Sequence, residues 1–190
     1  MSELKARYQV LWKTVTREGV AEFLEWLDTT DFYTAPCSTK FHLSRAEGLV
    51  EHSLNVHDAL VLQCRTLPET VTIDAESAVI CALGHDLCKA NFYAQETRNV
   101  KENGVWVQKP VYIVNDQFPY GHGEKSVLLL NRFIKLKQSE HMAIRWHMGG
   151  FTPGIQDYSL AQAMSEAFKR YPLAVLVNMA DMQATYLMES

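Results

Sequence analysis

The apolar residues of this chain recur mainly at intervals of three and four, which is the spacing of helices that bury one face. One such pattern covers residues 3–16, and a second covers residues 19–27. Neither pattern contains side chains whose spacing suggests chemistry. We therefore predict that helices within residues 3–29 pack on a core formed by residues 41–190.

Helix start signals divide the remainder of the chain. The helix that starts at Ser44 is expected to run toward Pro68, and the central helix to end near Lys89. The signals are the capping boxes Ser44–Glu47 and Ser159–Gln162, the candidate N-caps Asp74 and Ser139, and Pro172 at a first helical position.

Residues 91–117 have the least helical pattern of the chain. Aromatic and β-branched residues at 105–107 and 111–114 flank a turn signal at Gln108–Pro110. This content predicts a small β-hairpin insertion near residues 93–115. The expected fold class is therefore all-α, a single helical bundle that carries one hairpin.

The composition is that of a globular protein, and 190 residues suit a single domain. A net charge of −4 argues against a broad basic surface for duplex nucleic acid, but it permits a local pocket for one phosphorylated ligand. No apolar run approaches the roughly 20 residues of a membrane span, and the first residues lack the apolar segment of a signal peptide. We expect a cytoplasmic protein without membrane contact.

The cysteines form no Cys-x-x-Cys pair. Without a secretory signal they are expected to be buried, reduced thiols, and a zinc site made of thiolates is disfavoured. They are Cys37, Cys64, Cys81 and Cys88.

The densest apolar stretch, Ala78–Lys89, predicts a helix buried on most sides, with His85 and Asp86 side by side near its end. A buried carboxylate is costly unless it is paired or binds a metal ion. Imidazole beside carboxylate is a usual ligand pair for a divalent cation. The stretch therefore predicts a metal site, provided that further histidines and acids converge on it.

His52 lies on or beside the apolar stripe of the helix that precedes this stretch. His57 and Asp58 form a second His-Asp pair on the same helix. Because five residues rotate a helix by about 140° relative to His52, this second pair is expected on a solvated or interhelical face.

Later parts of the chain supply three more candidates. Glycines flank His122 at a helix start, where free N–H groups favour anions. Six residues, or about 120° of rotation, separate His141 from His147, so at most one of them should reach a given site. Asp181 lies at the edge of the apolar stripe of the final helix, where an acid needs a buried partner.

The order of these candidates resembles the signature of the HD-domain metal-dependent phosphohydrolases, in their two-metal subset. The ordered set is His52, His85-Asp86, His122, His147 and Asp181, and the strongest local matches are Gly48–Ser53, Leu83–Lys89 and Ala180-Asp181. The similarity covers about residues 41–185. Met148 departs from the pattern, because many two-metal relatives carry a second histidine after the one that corresponds to His147.

The resemblance implies a metal-binding core within residues 41–190. It assigns His52, His85, Asp86 and Asp181 to one ion, makes Asp86 the bridge to a second ion, and completes the second site with His122 and His147. Mixed imidazole and carboxylate ligands suit Mn, Fe, Co, Ni or Zn better than Mg or Ca. One or two such ions are expected as cofactors.

The same resemblance suggests which residues act on the substrate. Asp86 and Lys89 are the candidate catalytic residues. The candidate substrate-binding residues are Lys89 and His42, together with Lys125 and Arg145, which are included because they are close in sequence to His122 and His147.

The expected function is metal-dependent hydrolysis of a phosphate ester or anhydride, in a nucleotide or a similar small phosphorylated substrate, by a metal-activated water. One alternative is a 3′–5′ exonuclease or phosphodiesterase that acts on short oligonucleotides. Another is a regulatory module that binds metal or nucleotide without turnover. An acidic chain without a nucleic-acid-binding module favours the small substrate. The sequence leaves open whether the protein forms a homo-oligomer.

Overall fold

Helices account for 53% of the protein, and they are accompanied by a small antiparallel sheet. The computed structural model describes residues 2–189, without the side chain of Glu102. None of the helices in this described part has the length and apolar character needed to cross a bilayer. The helices are α1 (Glu3–Trp12), α2 (Val20–Leu27), α3 (Gly48–Cys64), α4 (Ala75–Gly84), α5 (His122–Asn131), α6 (Gln138–Arg145), α7 (Tyr158–Arg170) and α8 (Pro172–Gln183).

Helix α4 forms the centre of the core, as its uniformly apolar and small residues predict. Every residue from Ser77 to Gly84 is buried. Helix α3 packs against α4 and α8, and α6 packs against α5 and α8. The N-terminal helices join the same core, in which Trp12 of α1 and Phe23 of α2 are buried. The Tyr8 hydroxyl of α1 also donates to the Leu83 carbonyl at 2.9 Å.

Two of the predicted helix starts are confirmed. The Asp74 carboxylate accepts a hydrogen bond from the Ser77 amide at 3.1 Å and caps α4, and Pro172 is the first residue of α8. The predicted capping box at Ser44 is wrong, since α3 begins at Gly48 and the preceding Glu47 has a left-handed backbone conformation. The Leu49 amide instead donates to a carbonyl of the preceding loop, that of Ala35, at 3.1 Å. Tertiary packing therefore supplies the cap that a side chain was expected to provide.

The other two start signals are also displaced. Ser139 lies inside α6, whose first turn is closed by Glu140 accepting from the Lys137 amide at 2.7 Å. Ser159 lies inside α7, because the Asp157 carboxylate accepts from the Ser159 amide at 2.8 Å and caps the helix two residues earlier. In both helices a carboxylate, and not the predicted serine, accepts the hydrogen bond from a backbone amide at the helix start.

The central helix ends at Gly84, and the prediction that it continues to Lys89 is wrong. The backbone turns at Asp86, with φ −103° and ψ 19°, and residues Leu87–Lys89 form a 3₁₀ turn. In a continuous helix adjacent side chains diverge by about 100°. This turn instead allows His85 and Asp86 to face the same site.

The predicted hairpin is confirmed in position. Strand β1 (Tyr93–Glu102) pairs in antiparallel register with β2 (Val105–Val114). The turn is Asn103-Gly104, with φ of 48° and 85°, a pair well suited to a two-residue hairpin turn. Gln108–Pro110 belongs instead to β2, where Pro110 pairs with Thr97. A proline is tolerated there because a two-stranded sheet consists of edge strands.

Candidate metal centre

Six side chains predicted as metal ligands meet in one cluster. It forms where the C-terminal ends of α4 and α6, the first residue of α5, and the interior faces of α3 and α8 converge. Four of the six are almost fully buried, while His122 and Asp181 are partly accessible. The members are His52 from α3, His85 and Asp86 after α4, His122 from α5, His147 after α6, and Asp181 from α8.

One half of the cluster surrounds His52. Its Nε2 atom lies 3.2 Å from His85 Nε2 and 3.2 Å from Asp181 Oδ1. Asp86 Oδ2 lies 3.7 Å from His52 Nε2 and 3.5 Å from His85 Nε2. Four potential ligand atoms therefore face one small volume.

The other half surrounds the second oxygen of Asp86. Asp86 Oδ1 lies 2.8 Å from His122 Nε2 and 3.5 Å from His147 Nε2. The two oxygens of one carboxylate thus face two different pairs of histidines. Asp86 therefore belongs to two different groups of side chains that could hold a metal ion.

The backbone fixes the orientation of two imidazoles. His85 Nδ1 donates to the Ala82 carbonyl at 2.8 Å, and His147 Nδ1 donates to the Ile144 carbonyl at 2.7 Å. A carbonyl only accepts, so the proton is on Nδ1 in both rings. In the neutral form each Nε2 then keeps a lone pair that faces the cluster.

The other two imidazoles have side-chain partners on their outer sides. His52 Nδ1 lies 3.0 Å from a carboxylate oxygen of Glu189, which also accepts from the Asn55 amide at 2.9 Å. His122 Nδ1 lies 3.4 Å from Cys88 Sγ. All four rings therefore direct Nε2 inward and Nδ1 outward, the arrangement seen around protein-bound metals.

The charge state and the hydrogen bonding of the cluster fit a divalent cation. Burial raises the pKa of Asp86, but the positive charge of Lys89 and the neighbouring histidines outweigh it and hold the pKa well below its usual value. The pKa of Asp181 is lowered against burial by the neighbouring His52. Two ionised carboxylates and the Nε2 lone pairs of His85 and His147 match what a metal ion needs. Despite burial, Cys37 and Asp181 raise the pKa of His52, and Cys88 and Asp86 raise the pKa of His122, so each of these two rings would release a proton on binding an ion. Moreover, Asp86 Oδ1 and His147 Nε2 are buried without a well-formed hydrogen bond to any residue in the described range.

Two of the residues predicted to act on substrate lie at the same cleft. Lys89 Nζ is 2.6 Å from Asp86 Oδ2, and the His42 ring stacks on His52 with 4.9 Å between centroids. Burial lowers the pKa of His42, which favours its neutral form. Both side chains line a cleft of about 880 Å³ that opens over the cluster.

Lys125 and Arg145, the other two candidates for substrate binding, do not line this cleft. Lys125 Nζ is 2.6 Å from Asp116, and Arg145 is 2.6 Å from Glu124. The Arg145 guanidinium also stacks over Trp146 at 4.1 Å. Proximity in sequence to His122 and His147 therefore did not bring these cations to the site.

The second His-Asp pair is confirmed as interhelical. His57 Nδ1 lies 3.2 Å from Asp58, and Asp58 pairs across to Arg7 of α1 at 2.5 Å. Of His141 and His147, only His147 contributes to the potential metal-binding groups of the described residues. The rotation predicted from helix geometry accounts for both results.

The cysteines are free thiols, as expected; Cys37, Cys81 and Cys88 are buried, whereas Cys64 is only partly buried, contrary to the prediction. Cys37 and Cys88 nevertheless border the site, a proximity that the sequence did not predict. Cys37 Sγ lies 3.2 Å from His42 Nε2, and Cys88 joins Asp86 and His122 in a potential metal-binding group. Cys37 lies in a largely polar loop, and Cys88 lies two residues after Asp86, but neither sequence context was interpreted as a contact with the site.

Gly123 controls how closely α5 approaches the end of α6. A Cβ atom at this position would lie 2.4 Å from the Arg145 carbonyl oxygen. We expect Gly123→Ala to lower the free energy of unfolding by about 1–3 kcal/mol, because the two helices must separate. Chemical denaturation measures this change.

Gly150→Ala is the matched control for that substitution. Its added Cβ would meet no described atom within 4 Å. We expect a change within about 0.5 kcal/mol for the control. Equal effects of the two variants would show that close helix approach is not what Gly123 provides.

Comparisons of the chain with protein-family models, with curated proteins and with solved structures gave no match.

Proposed function

We propose that the protein is a metal-dependent phosphohydrolase with an HD-domain type of centre. The observation that carries this proposal is the inward direction of four imidazole Nε2 atoms around two carboxylates, one of which faces two histidine pairs. The burial of the cluster and the order of the candidate ligands along the chain also support this proposal.

In this proposal His52, His85, Asp86 and Asp181 hold one divalent transition-metal ion, and Asp86, His122 and His147 hold a second. Bound ions would supply Lewis-acid activation of water and positive charge for the phosphoryl oxygens. Lys89 remains protonated beside Asp86 and offers N–H donors to a phosphate oxygen at the cleft. His42, in its neutral form, can donate a hydrogen bond from one ring nitrogen and accept one at the other, at the same wall of the cleft.

The proposed substrate is small. A cleft of about 880 Å³ is within the usual range of small-molecule sites, about 300–1,000 Å³. Turnover of a nucleotide supports this proposal, whereas stepwise shortening of an oligonucleotide would indicate a 3′–5′ exonuclease. Metal binding without turnover of any phosphate ester would indicate a regulatory module.

The metal content of the purified, unchelated protein tests the proposal directly. We expect about two equivalents of transition metal in the wild type, and one fewer in His147→Ala. His141→Ala is the control, because His141 is on the same segment but outside the cluster. Absence of metal from the wild type, before and after reconstitution, would contradict the proposed function.

A further inference from the structure

The cleft over the candidate metal centre has an apolar, largely aromatic mouth. Three of its aromatic side chains are strongly exposed, Phe41 by 84%, Phe151 by 64% and Tyr186 by 59%. Clustered exposed apolar groups at a cavity mark binding surfaces more often than singly exposed ones do. Other apolar or aromatic side chains that line the cleft include Tyr93, Met148, Met182 and Val114.

The chain brings this mouth close to the candidate ligands. Phe41 precedes His42, which stacks on His52. Met148 directly follows His147, and Met182 directly follows Asp181. A molecule whose phosphate lies at the cluster would therefore place the rest of its structure against this apolar wall.

The charges of the cleft limit how much phosphate it can accept. Among the described residues that line it, Lys89 is the only lysine or arginine, and it is already paired with Asp86. Asp86, Asp181 and Glu189 contribute negative charge. With two divalent ions bound, the net charge of the lining is about +2, which one phosphate-monoester dianion neutralises. A triphosphate chain would bring more negative charge than the described residues can balance.

We propose that the mouth binds the organic half of a phosphate monoester, and that this half presents a flat, apolar surface such as a nucleobase. The proposal rests on the proposed function for the phosphate end of the substrate. It names nucleoside monophosphates, rather than polyphosphates or sugar phosphates, as the substrate class.

A substrate panel tests this selectivity on the metal-loaded wild type. We expect kcat/KM for adenosine 5′-monophosphate to exceed those for adenosine triphosphate and ribose 5-phosphate by about tenfold or more, because base stacking and charge balance both favour it. A faster triphosphate, or an equally fast ribose 5-phosphate, would overturn the proposal and leave the phosphohydrolase function intact. If none of the three is hydrolysed, turnover gives no support to the proposed function, and the mouth is then judged by the binding of adenosine alone.

Calorimetric binding of adenosine, which has no phosphate, provides that separate measurement. We expect adenosine to bind, and the double variant Phe41→Ala with Phe151→Ala to weaken its binding by about tenfold. In turnover the same variant should raise KM by more than it lowers kcat. Tyr158→Ala is the control, because Tyr158 is 81% exposed and lies outside the cleft. Failure of the wild type to bind adenosine, or unchanged affinity in the double variant, would overturn the proposal.

Discussion

Asp86→Asn is expected to reduce phosphate-ester hydrolysis by about 10²–10³-fold, and to remove bound transition metal. The substitution preserves the shape of the side chain but replaces one carboxylate oxygen by an amide group. Because the two oxygens of Asp86 face different histidine pairs, one N–H₂ group would be directed at a cation position. The remaining neutral oxygen is also a weaker ligand than a carboxylate.

Asp58→Asn provides a control with the same chemical change in the same dipeptide context. Asp58 follows His57 as Asp86 follows His85, but it pairs with Arg7 away from the cluster. We expect metal content and activity of this control to match the wild type. Retention of full metal and full activity by Asp86→Asn would contradict the proposed centre.

Glu140→Ala is expected to lower the free energy of unfolding by about 3–5 kcal/mol, the typical cost of breaking a buried ion pair. Glu140 is fully buried, and Arg17 binds both its oxygens, at 2.8 and 2.6 Å. Ser77 Oγ donates to the same carboxylate at 2.6 Å, so the residue joins the segment after α1 to α4 and α6. Its removal leaves the Arg17 guanidinium without its main partner.

Glu76→Ala is the matched control, since Glu76 also binds Arg17, at 3.3 Å, but is more exposed. We expect it to cost about 1 kcal/mol or less. Urea denaturation of the three proteins at neutral pH measures both effects. Equal costs for Glu140→Ala and Glu76→Ala would contradict the dominant role of the buried carboxylate.

The ionisation of Glu140 is expected to make the free energy of unfolding depend on pH. Burial raises the pKa of Glu140, but the hydrogen bonds from Arg17 and Ser77 outweigh it, so the pKa in the folded protein is below the usual value. Its contribution is therefore complete above the unfolded-state pKa, about 4.3, and is lost as the pH falls through the lower folded-state pKa. Glu140→Gln should flatten that acid limb of the stability profile.

Local sequence patterns predicted the elements better than their ends. The apolar period located α4 and α8, and the β-branched content located the hairpin. The ends depended on contacts from distant parts of the chain, as when the Ala35 carbonyl caps α3 in place of Ser44. The Asn103-Gly104 turn was available from sequence, because this dipeptide favours positive φ at both positions.

Asp86 and Asp181 could be predicted as site residues because burial of a carboxylate implies a partner, whereas the full set of six came from the resemblance of their order to a known family signature. Asp181, at the edge of an apolar stripe, indeed lies 3.2 Å from His52. Glu189 was missed because it follows a π-helical turn, Ala184–Met188, that changes the rotation of the final helix. No apolar period predicts such a turn, so the contact of Glu189 with His52 depended on three-dimensional packing.

The convergence of five separate helical segments on one cluster has a consequence for folding. An ion bound there would act as a cross-link between stretches of chain that are far apart in sequence, from α3 to α8. Such a link closes long loops, and closing a loop costs conformational entropy. The folded chain has already lost this entropy, so the ion binds it in preference to the unfolded chain. At a free ion concentration of about 100 times Kd, binding to the folded state alone adds about 2.7 kcal/mol to its stability. Metal supply would then set the thermodynamic stability of the folded protein as well as its chemistry.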